Sequence, residues 1–225
     1  MFIYLIIIFI YNNTMTIVHK HNLVFAAVSP HPPIILPSVG SVQDRKLAKK
    51  TIESLEFLGK KLKEVKPDSI IISSPHEDWG FNVPLFFLAP NFQGEIKQVL
   101  IGLASPEFYF EQGKKAYREQ FSDGKKYALI ASGDMSHCLK EDGPYGFNPQ
   151  GPQFDQALIE ALKKKDIEKI MKSDDSYPEA GECGLRSICF MLGILEGSGI
   201  NYQPEILSYE GPWGVGYLVV AFKLK

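Results

Sequence analysis

Cysteine is scarce in this chain. Three residues in 225, Cys138, Cys183 and Cys189, are an odd number and too few for the disulfide framework of a small secreted domain. A reducing compartment is expected, which makes the location cytoplasmic. An excess of charge of either sign is also missing: Lys+Arg total 24 against 26 Asp+Glu, a net charge of −2. A duplex-binding protein would carry a basic patch or stripe, so no nucleic-acid partner is expected. Long hydrophobic runs are absent too. The apolar stretch from Phe2 to Tyr11 falls short of the roughly 20 residues that a membrane-spanning helix needs. It lacks the basic n-region and small-residue cleavage site of a signal peptide. Met15 follows shortly after and opens an ordinary start, so residues 1–14 are expected to be a dispensable apolar extension, 15–225 the folded domain, and no membrane a partner. Histidine, at five residues, is rare enough that its placement carries information.

What is present is ordinary for a globular chain. A hydrophobic fraction of 45% and a charged fraction of 22% argue against disorder. A chain of this length can bury roughly 70% of its unfolded surface without disulfides or a structural metal. Leu23 to Val28, Ser69 to Ser73 and Tyr127 to Ala131 are short apolar runs that fit strands buried on both faces. Val83 to Leu88, Lys97 to Ile101, Tyr202 to Tyr209 and Gly216 to Lys223 are further expected strands. Helical spacing marks Gln43 to Val65, Pro106 to about Phe121, Gln153 to Lys164 and Ile167 to Lys172, and Glu182 to Leu195 reads as an apolar, buried helix. Strands alternating with helices predict an α/β fold: a single layered domain with a largely parallel central sheet flanked by helices.

Three histidines follow the C-terminal ends of expected buried strands: His31, His76 and His137. Ligands in open α/β sheets sit in the crevice outside those ends. His31 and His76 also share a Ser-Pro-His frame, whereas His19 and His21 lie in a polar segment and read as solvated surface residues. Two neutral imidazoles with one anionic ligand can make a facial set around a metal. Glu77, Asp78, Asp134, Glu179 and Glu182 are the candidate carboxylates. Glu182 stands out because it opens the apolar helix, although the helix macrodipole alone also favours an acid there. Cys183 and Cys189 read as core packing on that helix, Arg186 as a structural ion-pair partner, and Asp134 as an orienter of His137 or a turn cap.

The frames SPHPP at 29–33, SSPHED at 73–78, SGDMSH at 132–137 followed by GPYGFNPQGPQFD at 143–155, and ECGLRSI at 182–188 resemble the LigB-type class III extradiol ring-cleavage dioxygenases. The similarity is closest to the subunit-B-like branch linked to AmmeMemoRadiSam and Memo proteins, and it runs from about residue 23 to the C-terminus. It implies an α/β fold and a mononuclear non-haem Fe(II) held by His31, His76 and Glu182, with His137 as the acid–base histidine. The substrate implied is a small catecholic aromatic, cleaved with O₂; a homo-oligomer is left open. Memo-like relatives place a cysteine among the ligands, and here Cys183 adjoins Glu182, so which of the two faces the ion stays open. A thiolate would favour copper or zinc. Two rival readings follow: a Memo-like metal-binding protein without ring cleavage, and a zinc hydrolase with His137 as base.

Overall fold

Runs of β-branched and small apolar residues become the strands of one sheet: β1 Leu23–Ser29, β2 Ser69–Ser74, β3 Glu95–Leu100, β4 Tyr127–Ser132, β5 Tyr202–Glu210 and β6 Tyr217–Leu224. The computed structural model describes residues 22–225. The apolar run at 2–11, Met15, His19 and His21 therefore lie outside the described residues. The spatial order is β3-β2-β4-β1-β6-β5. The β3–β2, β2–β4 and β4–β1 pairs are parallel, and β6 is antiparallel to both β1 and β5. Every residue of β2 and β4 is buried, because helices cover both faces. The expected largely parallel α/β sheet is what forms.

The helices are α1 Val42–Leu47, α2 Lys49–Val65, α3 Trp79–Leu88, α4 Pro106–Gln120, α5 Gln150–Lys164, α6 Ile167–Met171, α7 Ser173–Ser176 and α8 Leu185–Ser198. One apolar cluster joins Leu55, Leu58 and Leu62 of α2 and Phe81, Val83 and Leu88 of α3 to Ala27, Ile70, Ile72 and Ile130 of the sheet. On the opposite face Phe110, Leu158, Ile188, Leu192 and Leu195 pack against Val28, Leu129 and Val220. Chains leaving β1 and β2 thus pass to helices on the first face, while the chain leaving β4, which lies between those strands, passes to α5 on the second. Such a reversal opens a crevice at the strand ends.

Three expectations need correction. Val83–Leu88 is not a strand but the second half of α3. The run is continuously apolar, and periodicity cannot separate a buried strand from a buried helix segment. Phe81, Pro84 and Leu88 buried with Phe86 exposed is the helical outcome. The helix expected over 43–65 is broken at Ala48 into α1 and α2. The last helix begins at Leu185 and not at Glu182, which removes Glu182 from the helix and makes it a residue of the preceding loop.

Candidate metal centre

The three histidines arrive as their strand ends suggested. β1 delivers His31, β2 delivers His76, and the loop after β4 delivers His137. A fourth segment, Glu182-Cys183-Gly184, is pressed against the β4 exit. A Cβ on Gly133 would meet the Gly184 Cα at 2.2 Å, so only glycine allows the two backbones to touch. That contact sets Cys183: its N–H donates to the Asp134 carbonyl at 3.3 Å, and its Sγ accepts from the Asp134 N–H at 3.3 Å.

His31, His76 and Cys183 each offer a ligand atom, and these atoms lie within 4.8 Å of one another. The Cys183 Sγ stands 3.6 Å from His31 Nε2, and the two imidazoles meet edge-on with centroids 5.2 Å apart. Glu182 is not in this set. Its carboxylate accepts from the Leu185 N–H at 2.6 Å and from Arg186 Nη1 at 3.1 Å. It caps α8, whose own cap residue Gly184 has no side chain to do so. Burial pushes the Glu182 carboxyl up to about 7 against the pull of those two donors. Arg186 continues to Asp174 at 2.6 Å and to the Ala104 carbonyl at 2.8 Å, a structural anchor. Cys189 is a fully buried core residue.

The tautomer of His31 is fixed by an interruption in α3. Pro84 has no N–H to give to the carbonyl one turn back, so the Gly80 carbonyl is left to accept from the Ser132 hydroxyl. With its single proton committed there, Ser132 Oγ accepts from His31 Nδ1 at 2.9 Å. Nδ1 therefore carries the imidazole proton and Nε2 keeps its lone pair facing Cys183. Burial, and then the neighbouring His76, hold the His31 pKa down to about 3, so the ring is neutral at physiological pH. Gly80 itself sits against the His76 loop, where a Cβ would meet Ser74 Oγ at 2.2 Å. Asp78, two residues past His76, is held at φ +49° and ψ −107°, a sparsely populated conformation of the kind that collects at functional sites.

Asp134 is buried, accepts from the His31 N–H at 2.9 Å and stands 4.0 Å from His31 Nε2. Burial raises its carboxyl to about 6, opposed by the His31 N–H bond and by the charges of His137 and His76. It does not orient His137, as one expectation had it. The Gly181 carbonyl does: it accepts from His137 Nδ1 at 2.6 Å and from the His137 N–H at 3.1 Å. A carbonyl only accepts, so Nδ1 carries the proton and Nε2 is free to take or give one. Tyr145 stacks on the ring with centroids 5.2 Å apart.

The donor set suits a transition metal. Burial, with the Asp134 charge, pushes the Cys183 thiol well above its ordinary range, whereas a bound cation would favour the thiolate. A neutral imidazole with its lone pair directed at that thiol completes the argument. Two histidines and a cysteine are soft to intermediate ligands, suited to iron, copper or zinc.

A largely parallel α/β sheet thus carries, at its carboxyl edge, a His/His/Cys cluster that could hold a metal ion, with His137 on the loop after β4. Residues 76–220 match the family model described as the catalytic LigB subunit of aromatic ring-opening dioxygenase, and the chain belongs to the LigB family. Protein CA_C1420 of Clostridium acetobutylicum is 32% identical over 262 aligned residues, covering 85% of this chain and 55% of that protein. The chain thus spans about half the length of that relative. The crystal structure of uncharacterized protein JW3007 from Escherichia coli K12 superposes with a TM-score of 0.57 at 16% identity, covering 88% of this chain and 99% of the other, a likeness of fold.

Proposed function

We propose that the protein is a metal-dependent oxidoreductase that opens the ring of a small catecholic aromatic with O₂, in the cytoplasm and without nucleic-acid or membrane partners. The observation that carries this reading is the convergence of His31, His76 and Cys183 in a chain of the LigB family. Those three residues would hold the metal, with Cys183 in the place first given to Glu182. When bound, the metal would act as a Lewis acid toward the catechol oxygens and supply the redox chemistry with O₂. His137 Nε2, held by the Gly181 bond to Nδ1, accepts a catechol proton and later returns one. Tyr145 walls that ring on one face. Asp134, buried beside His31, orients the His31 backbone and, when ionised, supplies a negative charge next to the cation.

The thiol favours one second reading: a metal-binding protein of the Memo type, carrying copper or zinc and without ring cleavage. Protein purified without oxygen decides between them by metal per chain and O₂ consumption with a panel of catechols. Iron at one per chain with catechol-dependent O₂ uptake is expected. Copper or zinc with no uptake, and none after iron reconstitution, replaces the first reading by the second.

A further inference from the structure

The carbonyl that holds His137 belongs to a loop, and a side chain holds that loop in turn. Gly181, the acceptor of both His137 bonds, lies in the segment between α7 and α8 with its backbone in the left-handed region at φ +62°. The residue before it, Ala180, is fully buried and accepts from the Ser136 hydroxyl at 2.6 Å. Ser136 and His137 thus grip Ala180 and Gly181 as successive rungs. The first rung is made by a side chain, the second by a backbone N–H and an imidazole.

Ser136 is itself fixed from several directions. With its proton given to Ala180, its hydroxyl oxygen accepts from the Cys138 N–H at 3.0 Å, so one side chain brackets His137 along the chain. Its N–H donates to Asp155 of α5 at 2.8 Å, and its carbonyl accepts from the Gly216 N–H at 2.8 Å. In the first turn of α5, a Cβ on Gly151 would meet Ser136 Oγ at 2.5 Å and the Cys138 carbonyl at 2.8 Å. The hydroxyl therefore has no room to turn. It transmits the position of α5 and β6 to the segment that carries the Gly181 carbonyl and, two residues on, Cys183.

We infer that Ser136 is a positioning residue for His137: its hydroxyl locks the 180–181 segment against the His137 loop, so that the Gly181 carbonyl keeps the imidazole in one tautomer and one orientation. The inference rests on the proposed function for the use made of that imidazole, and not for the lock itself. Ser136→Ala removes the hydroxyl alone. Ser198→Ala is the control, since that hydroxyl also donates to a carbonyl at 2.6 Å and accepts from an N–H two residues on at 3.1 Å, but at the far end of α8. In Zn(II)-loaded protein with isotopically labelled histidine, the His137 Nδ1–H resonance, identified by its absence in His137→Gln, reports the Gly181 bond. In Ser136→Ala it is expected to exchange with water about 10- to 30-fold faster, the worth of two hydrogen bonds, with zinc per chain unchanged. In Ser198→Ala it should match the parent. In iron-loaded Ser136→Ala, kcat for O₂ uptake with catechol should fall roughly 10- to 100-fold at unchanged KM, the usual cost of a misplaced catalytic group. Should Ser136→Ala not fold, Gly151→Ala, which crowds the hydroxyl from α5 without removing it, decides by the same measurements. An unchanged Nδ1–H exchange rate, or an unchanged kcat beside an active parent, overturns the inference. Zinc loss from Ser136→Ala, or an equal effect of Ser198→Ala, overturns it too. A parent that takes up no O₂ with catechol removes the catechol reading, and the resonance alone then decides the role of Ser136.

Discussion

At the scale of single residues, two neighbours in sequence have opposite employments. Cys183 faces His31, and Glu182 faces Leu185 and Arg186. Cys183→Ala is expected to lose the metal while folding normally, because a half-buried thiol is replaced by a smaller apolar group. Glu182→Gln should keep the metal and lower stability by about 1–3 kcal/mol, the toll of weakening a buried charged hydrogen bond. Metal per chain and urea denaturation of the two variants separate these outcomes; metal loss from Glu182→Gln would sink the assignment. His31 and His76 were legible in the sequence because each closes an apolar run with the same Ser-Pro-His frame. The choice between Glu182 and Cys183 was not. It depends on the Gly133–Gly184 backbone contact, between segments distant in the chain, and no local pattern records such a crossing.

At the scale of elements, α3 is both the segment that sequence misread and one that tunes the centre. Its apolar run hides its period, and it carries Pro84 inside the helix. That proline frees the Gly80 carbonyl for Ser132, and Ser132 fixes the His31 tautomer. Removing the relay should therefore be felt at the metal. Ser132→Ala is expected to weaken metal affinity about 10- to 100-fold, the usual effect of losing a partner that orients a ligating histidine. It also leaves the buried Gly80 carbonyl without its side-chain donor. Competition with a chelator of known affinity checks this; an unchanged affinity would show that the tautomer is fixed without Ser132. The other elements were easier to read. β2 and β4 are runs of Ile, Leu, Ala and Ser between turn residues, and α4 opens on Ser105-Pro106 with the Ser105 hydroxyl accepting from the Phe108 N–H, a start signal visible in sequence.

Across the whole molecule, a buried carboxylate couples the centre's loop to the far edge of the sheet. Asp155 of α5 accepts from the Ser136 N–H at 2.8 Å and from the Tyr209 hydroxyl on β5. Burial raises it to about 7, against the pull of those two donors. Between about pH 4, the ordinary aspartate value, and pH 7, the native state keeps a proton that the unfolded chain has released. This contribution to stability is complete below pH 4 and lost as pH rises through 7, with a slope of at most about 1.4 kcal/mol per pH unit. Asp155→Asn should remove that slope, so the stability difference between parent and variant changes steadily over pH 4–7 in urea titrations. A difference independent of pH would place the Asp155 pKa near its ordinary value. The crevice has a consequence of another kind. Its donors arrive on separate crossovers, from His31 at the exit of β1 to Cys183 ahead of α8, and no shorter contiguous fragment contains them all. During synthesis a metal held by these donors could not be captured until residue 183 has left the ribosome and the sheet has closed around β4. An occupied site would then work as a clasp fastened after folding, slowing escape from the native state without hastening arrival there.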